Sequence, residues 1–268
     1  KKMALQEYAQ TLKPQWDELY WDTMKWEAPM LLDSYCLYIE KNRKPQERFY
    51  QPRRRTLKKV VDKLQALEDD ELDELFLHQP ARTGKSQIIT LGTSWHCSRN
   101  TEISNLYVTY KEGLGGAFID GCMEIWTDPT YCHNDIFPTK IARTDAKNHK
   151  VDLERKKKYA TLSGKGLESG LNGEYDAYGW LILDDILEGI QDVLNPDILH
   201  RKQIVFDNNV MSRKKEQCKL ILNGTIWSLH DLYMDRLNFL QSNPEAKDIR
   251  YEVLKIPALD PDTDENNF

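Results

Sequence analysis

The chain has no apolar run approaching the roughly 20 residues a helix needs to cross a bilayer. Its opening residues, Lys1-Lys2-Met3-Ala4-Leu5-Gln6-Glu7, lack the apolar core of a secretory signal. A chain that opens on Lys1 is expected to carry a trimmed tag or to lack its first residues. Cysteine is sparse: Cys36, Cys97, Cys122, Cys132 and Cys218 are odd in number and widely spaced. That excludes a disulfide framework and points to a reducing cytosol. His96-Cys97 and Cys132-His133 lack the paired spacing of a zinc site. There is no excess of positive charge either. The net charge is −6, so the chain as a whole does not announce a nucleic-acid binder. Basic clusters at 41–44, 53–59, 155–158 and 213–215 are offset by acidic ones at 68–74 and 260–265, and such runs are usually solvated faces. No internal repeat is present.

What remains is a 268-residue chain, 40% hydrophobic and 30% charged. That suffices for one large α/β domain, with or without an appendage. Residues 1–48, with Trp16, Trp21, Trp26, Tyr35 and Tyr38, read as an N-terminal helical appendage. Leu57, Val60, Val61, Leu64 and Leu67 recur at helical spacing behind Pro52, predicting an amphipathic helix over 56–67. Short apolar runs then alternate with helical stretches. Strands are expected at 75–78, 103–110, 158–163, 180–184, 219–223 and 251–256. Helices are expected at 86–97, 114–126, 196–212 and 229–240. Asn195 is placed as a helix cap with Pro196 in the first helical position. This alternation predicts a mainly parallel sheet covered by helices on both faces. The segment 49–257 is read as its core, and 258–268 as a linker.

The chemistry centres on Gln79-Pro80-Ala81-Arg82-Thr83-Gly84-Lys85-Ser86, set between an apolar strand and a helix. A helix N-terminus offers free N–H groups and a positive dipole end, which together attract anions. Gly84 would let backbone approach a phosphate, Lys85 would reach the β and γ phosphates, and the Ser86 hydroxyl would bind Mg²⁺. The phosphate-loop pattern begins with glycine, and Gln79 stands there instead. The plain alternative is a helix start with a surface lysine. A phosphate loop needs a carboxylate on the far side of the metal. Trp180-Leu181-Ile182-Leu183-Asp184-Asp185 supplies a buried strand ending in two acids. Asp184 would hold Mg²⁺ through its water shell, and Asp185 would orient or deprotonate the attacking water. Two acids after a strand also make an ordinary turn. No Asn-Lys-x-Asp motif is present, which disfavours a GTPase. No Gln-x-x-Arg-x-Gly-Arg segment follows, which disfavours a two-core helicase. The reading requires the strands before Lys85 and Asp184 to be neighbours in one parallel sheet, so that an ammonium and a carboxylate flank one triphosphate.

Three features carry a resemblance: Arg82 inside the loop, the glycine-rich lead 163–173 before the acid pair, and Asn223-Gly224-Thr225 ending the strand 219–223. The chain over 51–259 resembles the large terminase subunit of tailed bacteriophages. The resemblance implies a P-loop NTPase core of the RecA-like, additional-strand (ASCE) type. It would bind ATP and Mg²⁺ and drive double-stranded DNA into a procapsid. It implies that Arg82 contacts the γ-phosphate and that Asn223, Gly224 and Thr225 couple hydrolysis to movement. Asn223-Gly224-Thr225 also reads simply as a strand-to-helix turn. Tyr50, Gln51 and Arg53 are the implied adenine-side residues. Arg143, Arg155 and Arg201 are candidates for an arginine supplied to a neighbouring subunit. The implied partners are portal protein and procapsid, a small terminase subunit, and copies of the chain in a homo-oligomeric ring. A pentamer is the expected assembled state and a monomer the isolated one. The implied location is the cytoplasm of the infected host cell. Family members often have Asp-Glu where this chain has Asp184-Asp185. They usually carry a C-terminal nuclease domain, so an isolated or truncated ATPase domain without nuclease activity is expected here. The alternatives are a non-catalytic DNA-binding or assembly module with a degenerate pocket, or another P-loop DNA translocase or helicase-like ATPase.

Overall fold

A computed structural model describes the backbone of residues 2–154, 158–171 and 175–259, with side chains from Lys13 onward. Arg155, Asn172, Gly173 and the acidic run 260–265 lie outside the described residues, as does most of the linker segment. The helices are α1 (Lys2–Glu27), α2 (Leu32–Ile39), α3 (Tyr50–Glu68), α4 (Lys85–Arg99), α5 (Glu112–Thr127), α6 (Ile190–Leu194), α7 (Pro196–Val205) and α8 (Leu232–Ser242). The strands are β1 (Glu74–His78), β2 (Asn105–Thr109), β3 (Arg143–Asp145), β4 (Lys150–Asp152), β5 (Leu162–Gly166), β6 (Trp180–Asp184), β7 (Lys219–Asn223) and β8 (Tyr251–Lys255). Among the described residues no helix is long and apolar enough to cross a membrane.

Among the described residues the eight strands form one sheet in the order β3-β4-β5-β2-β6-β7-β1-β8. The six strands from β5 to β8 run parallel, and the β3–β4 hairpin adds antiparallel pairing at one edge. Side chains alternate between the faces of a strand. In β6, Trp180 and Ile182 enter a core shared with α2, α3, α4 and α5. Leu181 and Leu183 enter a second core built with α8 and the Phe206–Val210 turn. Burial on both faces explains why the central strands read as unbroken apolar runs. The segment 28–39 shares the first core with α3 and α4, so α2 is packed into the body of the sheet layer.

Several boundaries differ from the sequence expectation, each for a local reason. The amphipathic helix begins at Tyr50, not at 56. Its first N–H groups are met by the Glu40 carboxylate, which accepts from Phe49 and Tyr50 at 2.9 Å each. Pro52 sits inside its first turn, where a missing N–H is harmless. The strand expected at 158–163 lies at Leu162–Gly166, because Thr161 and Asn105 lock its start through an N–H to carbonyl bond of 2.9 Å. The helix expected over 196–212 leaves α-geometry at Val205 and continues as a π turn over Phe206–Val210. Asn195 does cap it, accepting from Asp197 and Ile198 N–H. The last helix starts at Leu232, capped by Asp231, whose carboxylate accepts from Met234 N–H at 3.0 Å. Strands β1 and β6 are not neighbours as the reading required. β7 lies between them.

Candidate nucleotide site

That intervening strand builds the site. Parallel strands end at the same edge of a sheet. The register places Asn223 opposite Leu77 of β1 on one side and opposite Asp184 of β6 on the other. Asn223 therefore stands between the phosphate-type loop and the acid pair. The Gly224 N–H donates to the Leu77 carbonyl at 3.1 Å, and the Asp185 N–H donates to the Asn223 carbonyl at 2.9 Å. These two bonds fasten the turns after β1, β6 and β7 to one another.

The loop from Gln79 to Gly84 leads straight into α4. Gly84 caps the helix with φ +89°, a left-handed conformation that glycine adopts without strain. A Cβ on Gly84 would lie 2.5 Å from the ring of Phe49, so a side chain here would have to displace that ring as well. Arg82 also has positive φ, at 64°, and is exposed. The Thr83 hydroxyl donates to the Pro80 carbonyl at 2.8 Å, closing the loop. Ala81 is exposed at its tip. Gln79 is buried and its amide Nε2 has no hydrogen-bond partner. Lys85 and Ser86 open α4, where N–H groups have no helical acceptor.

The Lys85 ammonium donates to Asp185 Oδ1 at 3.0 Å and to Thr225 Oγ1 at 3.1 Å. Thr225 N–H also donates to Asp185 Oδ1, at 3.3 Å. One lysine thus joins loop, acid pair and the turn after β7. Asp184 lies beside this triad at 1% exposure. Its carboxylate accepts from Tyr107 Oη at 2.7 Å and Asn223 Nδ2 at 2.8 Å. Burial pushes the Asp184 carboxyl above its usual range, the nearby Ser86 and Tyr107 hydroxyls pull against that, and neighbouring Asp185 adds to the rise. A buried carboxyl held this way favours a compensating cation.

The residues present fit a magnesium triphosphate. Two orphaned buried polar atoms, Gln79 Nε2 and Asn223 Oδ1, sit beside the loop and the acid pair. A lysine ammonium and open helix N–H groups offer anion donors, while Ser86 and Asp184 offer hard oxygen ligands. Mg²⁺ characteristically takes only one or two such protein ligands beside phosphate and water.

The other expected residues are placed less centrally. Tyr50 is fully buried, and its hydroxyl donates to Asp33 Oδ1 at 2.5 Å, so its ring faces the core. Gln51 is exposed and accepts from Arg48 at 2.6 Å. Arg53 lies over the Phe49 ring, 5.2 Å from its centroid. Phe49, one residue before the expected aromatic, is the ring that meets the loop at Gly84. Arg143 is exposed on the edge strand β3, and Arg201 pairs with Glu168 at 2.9 Å. Sequence reasoning missed Phe49 and Tyr107. Only the aromatic character of 49–50 hinted at the first. No family model and no curated protein sequence matches this chain.

Proposed function

We propose that this chain is a P-loop ATPase of the RecA-like, additional-strand type and that it acts as the motor domain of a viral DNA-packaging terminase. The observation that carries the enzymatic part is the Lys85 ammonium bridging Asp185 and Thr225, with Asp184 held next to it. The strand inserted between β1 and β6 supports the additional-strand core. The packaging role rests on the motif resemblance: Arg82 in the loop, the glycine-rich lead and Asn223-Gly224-Thr225.

In this reading, ATP draws the Lys85 ammonium away from Asp185 and onto its β and γ phosphates. Ser86 and Asp184 would hold Mg²⁺, which supplies charge neutralisation on the phosphate oxygens. Asp185, released from Lys85, orients the attacking water and accepts its proton. Lys85 and Arg82 offset the charge that builds on the γ-phosphate oxygens in an in-line displacement. Loss of the γ-phosphate returns Lys85 to Asp185 and Thr225, so the turn at Asn223–Thr225 senses the nucleotide state. The coupled partner is double-stranded DNA, gripped through phosphates, because a packaging motor must move any sequence. Portal, procapsid, the small terminase subunit and a homo-oligomeric ring complete the proposal.

The test is phosphate release by the purified chain, compared with Lys85→Ala, with and without duplex DNA. Turnover lost in the variant and raised by duplex DNA is expected. Equal turnover in both chains, or none in either, would leave a non-catalytic module. Binding to portal rings or empty procapsids separates packaging from other DNA translocases.

A further inference from the structure

Behind the nucleotide-facing side of the site lies a hydroxyl that none of these roles uses. Tyr233, near the start of α8, is buried at 1% exposure within the second core. Its Oη donates to the Asn223 carbonyl at 3.1 Å and accepts the Ile186 N–H at 3.1 Å. The Asn223 carbonyl also accepts the Asp185 N–H. One phenol therefore joins the chain just after the acid pair to the turn that carries Thr225.

Two features separate this arrangement from ordinary core packing. Asp185 has φ +41°, a left-handed conformation that Asp and Asn tolerate better than other non-glycine residues and that local hydrogen bonds hold in place. The restraints are visible: its N–H is held by Asn223, its carbonyl accepts from Tyr110 N–H at 3.3 Å, and the next N–H is held by Tyr233. Gly224 is the second feature. A Cβ there would lie 2.5 Å from Tyr233 Oη, so only glycine lets the hydroxyl reach the turn. His78, at the end of β1, adds a third link. Its Nδ1 lies 3.1 Å from the Gly224 carbonyl, and its ring is edge-on to Tyr233 at 6.2 Å. Burial holds the Tyr233 phenol far above its usual titration range, so at neutral pH it serves as a fixed donor and acceptor.

We infer that Tyr233 is a positioning residue whose hydroxyl holds Asp185 in its water-orienting conformation and ties that conformation to the Asn223–Thr225 turn. The inference rests on the ATP-hydrolysing reading above. It is tested on the full chain by measuring ATP hydrolysis against ATP concentration for wild type, Lys85→Ala, Tyr233→Phe and Gly224→Ala. Binding of a fluorescent ATP analogue is measured in parallel. Tyr233→Phe keeps the ring and loses only the bridge. Its kcat is expected to fall roughly tenfold, while KM and analogue affinity shift by less than about twofold. Gly224→Ala displaces the same oxygen from the other side and is expected to show the same split. Unchanged kcat in Tyr233→Phe, or kcat and affinity falling together with the melting temperature in both variants, overturns the inference. Should wild type show no Lys85-dependent turnover, the enzymatic reading fails and the inference goes with it. Lys85-dependent turnover indifferent to both variants overturns the inference alone.

Discussion

The Lys85 ammonium and the Asp185 carboxylate lie 3.0 Å apart although 100 residues separate them in the chain. The lysine proposed to bind phosphate is thus paired with the acid proposed to activate water. A triphosphate must compete with that carboxylate. Asp185 is partly exposed, so the pair is screened and the competition is modest. Asp185→Asn is expected to bind ATP about threefold more tightly and to lose nearly all turnover. Asparagine tolerates the left-handed backbone at this position, so the fold is retained. Titration with a fluorescent nucleotide, beside phosphate-release rates, checks both halves. Weaker binding in Asp185→Asn would contradict the competition.

Phe49 supports the loop from below. Its ring fills the space that a side chain on Gly84 would take, and the Arg53 guanidinium lies over the same ring. Phe49→Ala is expected to loosen the loop and raise the KM for ATP roughly fivefold, with kcat little changed. Gly84→Ala introduces both a clash and a strained φ, and is expected to remove nucleotide binding. Nucleotide titration of both variants measures this. Wild-type KM in Phe49→Ala would remove Phe49 from the site.

The parts of this site that could be read in advance are those written locally. β1, β6 and β7 are buried on both faces, so their apolar runs stand out. Gly84-Lys85-Ser86 comes one short loop after the first of these runs, and Asp184-Asp185 ends the second. What could not be read depends on pairing across the chain. Nothing local to 219–223 says that it inserts between β1 and β6, because strand order is set by crossovers. The β3–β4 hairpin was invisible: Arg143-Thr144-Asp145 and Lys150-Val151-Asp152 hold one apolar residue between them, and Val151 alone is buried. Tyr107 and Tyr233 look like core residues until their hydroxyls find Asp184 and Asn223, 77 and 10 positions away.

His133 makes stability depend on pH. It is fully buried, with Nδ1 2.8 Å from Tyr35 Oη and Nε2 3.0 Å from Thr139 Oγ1. Burial pushes its pKa down to about 4 from an ordinary 6.5. The folded state thus binds fewer protons than the unfolded chain across that window. The stability from neutral His133 is complete above pH 6.5 and is lost as the pH falls through about 4. Its size is about 3 kcal/mol. Urea unfolding from pH 7 to pH 4 is expected to show a steeper decline in wild type than in His133→Gln. Parallel curves would mean that other groups govern acid unfolding.

Glu74 begins β1 at 0% exposure, and Arg236 reaches it from α8. The guanidinium Nε donates to one carboxylate oxygen at 3.0 Å, and Nη2 donates to the other. A two-pronged contact of this kind satisfies a buried carboxylate that otherwise has no solvent. Arg236→Ala strands that charge and is expected to lower stability by roughly 3–5 kcal/mol. Replacing both partners with leucine removes the stranded charge, and is expected to recover most of the loss. The pair lies at the β1 end opposite the phosphate-type loop, so turnover per folded molecule should stay unchanged in each variant. Urea unfolding of the two single variants and the double variant measures the coupling. A single-variant loss under about 1 kcal/mol would show the pair to behave like an exposed ion pair, and would remove it as an anchor of β1 beneath the loop.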